Sequence, residues 1–274
     1  MFRHTNEGRP STYVAVVTGA SRGIGQATAT ALGARGATVV TLGRDASRSS
    51  VACDLASFAS IRAAVAEIAA RWPRIDLLVN NAGVQHLHRT TSADGIEATL
   101  AVNHLAPFLL TRLLLPCLEA AAPARVVTVS SSLARWGRID FDDLQLTRRY
   151  SGTRAYLQSK LANAMFTQSL AERLTARGVG AVCVYPGLVA TDLLRERWWW
   201  RAAWLRPLWR ALFLHPNDAA GAVVAAATMP SPNEGCCVTL GGGAVPAPRA
   251  ARDPEQRRRL WDATVRLTGV DFPT

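Results

Sequence analysis

The sequence predicts an α/β fold: a doubly wound, Rossmann-type, mostly parallel sheet of about seven strands with helices on both faces. Short β-branched runs alternate with longer Ala/Leu-rich stretches, and the first run leads directly into a glycine-rich turn. Continuous apolar runs are typical of parallel strands buried on both faces, and strand–helix alternation implies right-handed crossovers. The length of 274 residues suits one such domain.

The predicted elements follow one another from Tyr13 onward. The apolar runs are residues 13–18, 38–42, 76–80, 125–130, 181–186 and 236–240. The helical stretches are residues 23–35, 57–71, 94–121, 157–177, 217–228 and 254–268. Residues 1–11 are predicted to be a polar, poorly ordered tail, and residues 12–274 form the single predicted domain.

Composition narrows the class of protein. The net charge of +11 comes from arginines scattered through Ala-rich helices, which is typical of solvated faces and does not predict a nucleic-acid partner. The five cysteines show no metal-like spacing, so neither a zinc site nor a disulfide framework is expected. The first residues do not form an apolar leader, and no run of about 18 uninterrupted apolar residues occurs. We therefore expect a cytoplasmic protein with no metal and no transmembrane segment.

The glycine-rich turn TGASRGIG runs from Thr18 to Gly25, between the first strand and the first helix. Its glycines allow a tight turn and let the backbone approach a pyrophosphate, and the helix N-terminus favours an anion there. The turn therefore predicts a dinucleotide site. Its candidate residues are Gly19, Ser21, Arg22, Gly23, Ile24 and Gly25.

The end of the second strand predicts which dinucleotide binds. A carboxylate there would bind a ribose 2′-hydroxyl and repel a 2′-phosphate, and Gly43 stands at that position. Arg44 and Arg22 could flank a phosphate with charge-assisted hydrogen bonds, although Asp45 lies close by. NADP(H) is therefore favoured over NAD(H).

Two further segments are expected at the adenosine. Asp54 could accept a hydrogen bond from the adenine amino group, or it could be the N-cap of the following helix. The run NNAG follows the strand 76–80, where small residues would let the backbone lie against the ribose and Asn80 can tie neighbouring strands together. The candidate residues in these segments are Asp54, Leu55, Asn80, Ala82 and Gly83.

Tyr156 and Lys160 stand four residues apart in a helical stretch, which places them on one face. A free tyrosine has a pKa of about 10, and a nearby ammonium together with an oxidised nicotinamide would lower that pKa toward neutrality. Tyr156 could then exchange a proton with an alkoxide. Lys160 is also the only lysine beside thirty arginines, which suggests that this position needs a titratable ammonium.

Ser131 and Asn103 complete the predicted catalytic group. The strand 125–130 is followed at the carboxyl edge by Ser131, which could hold a substrate oxygen in line with Tyr156; Ser130 and Ser132 are competing assignments. A buried Asn103 could bind a water that relays protons to Lys160.

These motifs together resemble the short-chain dehydrogenase/reductase family over about residues 13 to 270. The segments VNHLAPFLLT, AYLQSKLANAMFTQSLAERL and RRLWDATVRLTG are similar to its retinol dehydrogenase and WW-domain oxidoreductase-like branch. The resemblance implies that Asn103, Ser131, Tyr156 and Lys160 are the catalytic tetrad. It also implies that Tyr156 and Lys160 lie at the cofactor, and that the nicotinamide is contacted by Pro186, Gly187, Val189 and Thr191. A homodimer or homotetramer built on the helices 94–121 and 157–177 is implied as well.

Two features depart from that branch. Its membrane-bound members carry an N-terminal anchor, which this sequence does not show. Only nine positions lead from Arg44 to Cys53, so a helix and a strand that are usual there are expected to be reduced to a short loop.

Residues 193–214 combine five tryptophans with interspersed arginines. We expect a mobile lid over residues 188–216 whose aromatic face binds an apolar substrate. Alternatively, residues 195–214 contact a membrane surface or an acidic carrier protein, or pack on the protein core or a second subunit. The Ala/Arg-rich composition is typical of GC-rich bacterial genomes, where such enzymes often serve in secondary metabolism.

The predicted function is an NADP(H)-dependent oxidoreductase that reduces an apolar ketone or aldehyde, or runs in reverse. One alternative is non-redox chemistry on the same fold, such as dehydration, epimerisation or cyclisation. Another is a nucleotide-binding sensor that catalyses no reaction.

Overall fold

The computed structural model describes residues 13–187, 215–229 and 235–273. These residues form an eight-stranded sheet in the order β3-β2-β1-β4-β5-β6-β7-β8. The strands are β1 Val14–Thr18, β2 Thr38–Gly43, β3 Val51–Ala52, β4 Leu77–Asn80, β5 Ala124–Val129, β6 Val179–Val184, β7 Cys237–Val238 and β8 Ala244–Val245. Every pairing is parallel except that of β7 with β8. The order reverses between β1 and β4, which opens a crevice at the carboxyl ends of these two strands.

Helices cover both faces of this sheet. They are α1 Gly23–Gly33, α2 Phe58–Arg71, α3 Ala98–Ala121, α4 Gly152–Leu174, α5 Pro216–Thr228, α6 Arg249–Arg252 and α7 Pro254–Thr268. The core on one face lies beneath α2, α3 and α4, and the core on the other lies beneath α1 and α5. The predicted doubly wound α/β fold is confirmed.

The β-branched runs form the central strands because both faces of the sheet are buried. All five residues of β1 and all four of β4 are buried, so neither strand shows the polar alternation of a half-exposed sheet. The helices can be predicted from the spacing of their apolar residues because each helix buries only one side. α2, for example, buries Ile61, Ala64, Val65 and Ile68, and its N-cap is Ser57.

The segment after β2 differs from the prediction. The usual helix is replaced by turns and bends, but a strand survives as β3, whose Val51 pairs with Leu42 and whose Ala52 pairs with Gly43. Two residues are enough for a strand here because the backbone of β2 supplies the hydrogen bonds. With β8 as an antiparallel edge strand, the described residues thus contain eight strands, against about seven expected.

One helix of the described ranges, α3, is long and apolar enough by composition to cross a membrane. In the folded chain 83% of its most apolar 18 residues are buried against the sheet and neighbouring helices. Such burial is typical of the core helix of a globular domain.

The C-terminal segment fills the groove between α3 and α4. Trp261 of α7 packs against Phe108 of α3, with ring centroids 5.0 Å apart, and against Phe166 of α4 at 6.3 Å. Phe272 lies 5.1 Å from Phe108 in the same cluster. The indole nitrogen of Trp261 donates to the Asp271 carboxylate at 2.9 Å, which ties the tail back onto α7.

The oligomeric state stays a prediction. The family resemblance implies a homodimer or homotetramer built on the helices 94–121 and 157–177. Trp261 and Phe272 are 5% and 3% exposed in the groove between these helices, so the groove itself is filled from within the chain.

Replacing Trp261 tests how much the segment stabilises the fold. We expect Trp261→Ala to lower the free energy of unfolding by about 3 kcal/mol, because it empties a buried aromatic site. Trp136→Ala is the matched control, since Trp136 is 58% exposed and its loss should cost less than about 1 kcal/mol. Urea unfolding of both variants measures the difference, and equal losses would contradict the packing argument.

Candidate active site

The glycine-rich turn forms a tight approach between the loops that follow β1 and β4. Gly19 has φ +67°, and a Cβ on it would lie 2.9 Å from Cα of Ala82. A Cβ on Gly25 would lie 2.4 Å from both the Asn81 side-chain nitrogen and the Gly19 carbonyl oxygen. Only glycine fits either position without moving the backbone.

The start of α1 is suited to an anion. The helix begins at Gly23, its N-cap Arg22 makes no side-chain capping hydrogen bond, and its first turn carries no acidic residue. The N–H groups of that turn are therefore not capped by a side chain or screened by a carboxylate. Ser21 and Ile24 are half-buried beside this turn, and Arg22 is exposed.

Thr18 and Asn81 join β1 to the loop after β4, a link that the sequence analysis missed. The Thr18 hydroxyl accepts from the backbone nitrogens of Asn81 and Ala82, each at 3.0 Å. The Asn81 side chain in turn donates to the Thr18 carbonyl at 2.8 Å. Thr18 begins the motif TGASRGIG, and Asn81 lies in the motif NNAG. Because both motifs were placed at the same edge of the sheet, the link between them could have been predicted.

Asn80 has a different role from the one predicted. Its side-chain nitrogen donates to the Thr111 hydroxyl at 3.1 Å, so it ties β4 to α3 and not to a neighbouring strand. The side chain points away from the sheet plane, as alternate residues of a strand do, and meets the helix packed on that face. Asn81 makes the inter-strand link instead.

The end of β2 carries no carboxylate. A Cβ on Gly43 would lie 2.6 Å from the Ser49 hydroxyl oxygen, so a larger residue there would have to turn the Ser49 side chain away. Arg44 follows and is exposed. The Asp45 carboxylate accepts from the backbone and hydroxyl of Ser47, and these hydrogen bonds lower its pKa.

Asp54 is not the N-cap of α2, because Ser57 caps that helix. The Asp54 carboxylate accepts instead from the backbone nitrogen of Ala56 at 3.0 Å, in a local turn. The alternative N-cap interpretation is therefore wrong, and the adenine contact stays a prediction. Leu55 packs against the core with its side chain half-buried.

Asn103 lies in a π-helical turn of α3, Ala101–Leu105, and is fully buried. Its side-chain oxygen accepts from the Val84 backbone nitrogen at 2.7 Å, and its side-chain nitrogen donates to the Val84 carbonyl at 2.9 Å. The same nitrogen donates to the Ser159 hydroxyl at 2.9 Å. Asn103 thus clamps the loop after NNAG to α4, and Ser159 is a second residue that the sequence analysis missed.

The three serines after β5 have distinct surroundings. The Ser130 hydroxyl donates to the Lys160 carbonyl at 2.6 Å and thereby ties the end of β5 to α4. The Ser131 hydroxyl accepts from the Leu133 backbone nitrogen at 3.2 Å and is hydrogen-bonded to the Tyr156 phenol. Ser132 begins the 3₁₀-helix Ser132–Trp136. Of the three, Ser131 is the one that the structure places against Tyr156.

Tyr156 and Lys160 lie together as their spacing predicts, but the pKa of the phenol moves in the opposite direction. Burial raises the pKa of Tyr156 to about 12, and the hydrogen bond with Ser131 offsets only part of that rise. The Lys160 amine lies 5.7 Å from the Tyr156 ring centroid. The predicted lowering of the pKa combines the ammonium with an oxidised nicotinamide and stays a prediction; for the chain by itself, the cost of burying the phenolate is the larger effect.

Lys160 is buried at the centre of the candidate residues. Its Nζ donates to the Val129 carbonyl at 3.0 Å, and it would lie 3.4 Å from a Cβ on Gly83. The same Cβ would lie 3.5 Å from the Asn103 side-chain oxygen, so Gly83 leaves room between the amine and the amide. Burial lowers the pKa of Lys160 to about 8.

The remaining candidates are only partly described. Pro186 is buried after β6, and Gly187 has φ +79°. Val189 and Thr191 lie outside the described residues, as do the tail 1–11 and the lid segment except for residues 215 and 216. Within the ranges that are described, no three His, Cys, Asp or Glu side chains are grouped to hold a metal ion.

Comparisons with known proteins identify the family to which the chain belongs. The model of the short chain dehydrogenase family matches residues 13–202. The chain belongs to the short-chain dehydrogenase family. It is 38% identical to retinol dehydrogenase 13 of Homo sapiens over 94% of this chain and 85% of that protein, which supports the predicted branch. Membership makes it an oxidoreductase acting on an alcohol or carbonyl group.

Solved structures show the same relationship. A protein of Mycobacterium paratuberculosis is 32% identical with a TM-score of 0.78, covering 96% of this chain and 95% of that one. A short-chain dehydrogenase from Burkholderia cenocepacia, in complex with NADP, is 28% identical with a TM-score of 0.64, covering 84% of this chain and 97% of that one.

The tight approach at Gly25 can be tested by adding one methyl group. We expect Gly25→Ala to lower the free energy of unfolding by about 2 kcal/mol, because the new Cβ must push the Asn81 side chain and Gly19 apart. Gly33→Ala is the control in the same helix, since its Cβ would be 3.9 Å from the nearest atom, on Val39. Urea unfolding compares the two, and a Gly25→Ala chain as stable as the control would refute the close approach.

Proposed function

We propose that this family member uses NADP(H) to interconvert an apolar ketone or aldehyde and its alcohol, with Tyr156 as the proton donor. The observation that carries the proposal is the convergence of Tyr156, Lys160, Ser131 and Asn103 at the carboxyl edge of the sheet. That edge, at the β1–β4 reversal, is where doubly wound folds bind their ligands.

The residues at the crevice fit a dinucleotide. The Gly19–Gly25 turn brings backbone to the start of α1, and a Cβ on Gly83 would fill the space between Lys160 and Asn103. The α1 turn would hold the pyrophosphate, and Lys160 would hold the nicotinamide ribose. NADPH supplies a hydride when it is bound.

Tyr156 is suited to act as an acid in the reducing direction. A phenol whose pKa is about 12 is protonated at neutral pH, so it holds a proton that it can give to a developing alkoxide, a much stronger base. Ser131, hydrogen-bonded to the phenol, would hold the carbonyl oxygen at the same place. The Lys160 ammonium would stabilise the phenolate that the transfer leaves.

The choice of NADP(H) rests on the end of β2. Residue 43 is glycine, so no carboxylate at that position repels a 2′-phosphate. Arg44 and Arg22 are exposed at this rim and could pair with the phosphate. The Burkholderia cenocepacia relative was solved in complex with NADP.

Exposed apolar residues on two loops beside α4 support an apolar substrate. Leu87 is 41% exposed, and a Cβ on Gly152, four residues before Tyr156, would lie 3.2 Å from its Cα. Trp136 is 58% exposed, and its neighbour Gly137 packs against the backbone of Leu157. Both loops thus lie beside the first turns of α4. The lid over residues 188–216, as a further apolar wall, remains part of the proposal.

A cofactor-consumption screen tests the proposed reaction directly. Purified enzyme is offered apolar ketones, aldehydes and alcohols with NADPH, NADP⁺, NADH and NAD⁺, and absorbance at the nicotinamide band is followed. Stoichiometric loss of NADPH with ketone supports the proposal. Product formation without any change in the cofactor would show non-redox chemistry instead.

Tyr156→Phe tests the proton donor. We expect turnover to fall by a factor of about 100 or more, because the phenyl ring has no proton to give, while the affinity for NADPH stays within about twofold. Tyr13→Phe is the control, since Tyr13 precedes β1 at the opposite edge of the sheet. Steady-state rates and NADPH fluorescence titration measure the two quantities. Retention of most activity in Tyr156→Phe would eliminate the mechanism.

Arg44→Asp tests the 2′-phosphate site. The carboxylate should repel the phosphate and accept from a ribose hydroxyl, so the ratio of kcat/KM for NADPH over NADH should fall at least about tenfold. Arg35→Asp makes the same charge change at the amino edge, where Arg35 donates to the Ala31 carbonyl. A ratio unchanged in Arg44→Asp would remove Arg44 from the site.

A further inference from the structure

The π-helical turn of α3 contacts the candidate active site on one side and the C-terminal helix on the other. Asn103 and His104 are consecutive in this turn and both are buried. Asn103 bonds to Val84 and Ser159, whereas His104 bonds to Thr264 of α7. Single π-turns inside α-helices occur frequently at functional sites, and they depart from the regular hydrogen-bond ladder.

The Thr264 hydroxyl joins the buried His104 ring to α7. The Thr264 hydroxyl has one proton, and it donates that proton to the Leu260 carbonyl at 2.8 Å. Its oxygen lies 2.9 Å from His104 Nε2, at hydrogen-bonding distance. Burial lowers the pKa of His104 to about 4, and a hydrogen bond with Asn163 offsets part of that shift, so the imidazole is neutral at physiological pH.

α7 is itself firmly attached to the rest of the chain. Arg257 is 9% exposed and pairs with the Glu172 carboxylate of α4 at 2.5 Å. Trp261 is stacked beneath the Arg173 guanidinium, which lies 4.2 Å from its ring centroid. Thr264 lies about one turn after Trp261 and about two turns after Arg257, so its hydroxyl is held in place beside the π-turn.

On the active-site side, the π-turn is hydrogen-bonded through Asn103 to two elements. Asn103 holds both the nitrogen and the carbonyl of Val84, which follows Gly83 in the loop after β4. It also donates to the Ser159 hydroxyl, which in turn donates to the Tyr156 carbonyl at 2.8 Å. A shift of the π-turn would therefore move the loop beside Lys160 and the helix that carries Tyr156.

We propose that Thr264 is a positioning residue of this enzyme: through His104 it fixes the π-turn, and so fixes Asn103 against Val84 and Ser159. Thr264 touches none of the reacting groups. The proposal rests on the proposed function for its effect on turnover, but the contact it describes can be measured separately in the backbone of Val84.

The chain offers a matched control one helical turn away. Thr268 is also buried, and its hydroxyl donates to the Thr264 carbonyl at 2.8 Å, as that of Thr264 does to Leu260. Of the two hydroxyls, only that of Thr264 also hydrogen-bonds to His104. Thr264→Val and Thr268→Val therefore remove the same group from the same helix, and differ in whether the π-turn loses a hydrogen-bond partner.

Two readouts are taken on full-length protein. Amide hydrogen exchange of the peptide containing Val84 reports the Asn103 clamp, and steady-state kinetics report kcat and KM. We expect Thr264→Val to speed exchange at Val84 and to lower kcat, each by about fivefold to tenfold, as loss of one buried hydrogen bond allows. KM for NADPH should stay within about twofold in Thr264→Val. Thr264→Ser, which keeps the hydroxyl, should restore both, and Thr268→Val should change neither.

The other possible results distinguish a failure of the positioning proposal from a failure of the proposed function. Unchanged Val84 exchange in Thr264→Val overturns the proposal. Equal acceleration in Thr268→Val, spread over the whole chain, also overturns it, since α7 would then only stabilise the fold. If the wild-type protein turns over no carbonyl or alcohol, the proposed function fails, and faster Val84 exchange confined to Thr264→Val would still establish the positioning contact.

Discussion

The candidate active site depends on the burial of one amine. Lys160 is fixed by two bonds to the end of β5: its Nζ donates to Val129, and its carbonyl accepts from Ser130. Gly83 and Asn103 border the amine: a Cβ on Gly83 would lie 3.4 Å from its Nζ and 3.5 Å from the Asn103 side-chain oxygen. Burial keeps the pKa of the amine low enough for it to exchange protons near neutrality, and the same apolar surroundings keep the Tyr156 phenol protonated.

Local pattern predicts much of this arrangement. β1 and β4 are recognisable from the sequence because full burial on two faces demands apolar, β-branched residues throughout. Tyr156 and Lys160 meet because residues four apart in a helix share a face. Ser131 lies at the ligand-binding edge because the carboxyl ends of parallel strands all meet at that edge of the sheet. Each of these inferences needs only the period of one element and the direction of the sheet.

The features that the sequence did not reveal involve contacts between elements distant in sequence. Whether Asn80 bonds to a strand or to a helix depends on which face its side chain takes and on Thr111 of α3. The effect of burial on the phenol pKa depends on how closely several loops exclude water, which no spacing reveals. The contact of His104 with Thr264 spans 160 positions, and nothing local marks Trp261 as the occupant of the α3–α4 groove.

The C-terminal cover of the α3–α4 groove also affects how the enzyme is made. A ribosome synthesises the strands and helices through α4 well before residues 254–273, and during that interval Phe108 and Phe166 have no tryptophan to cover them. A nascent chain at that stage presents a wide apolar furrow, the kind of surface that chaperones bind and that drives aggregation. Folding of the domain is therefore completed only after the last helix has left the exit tunnel.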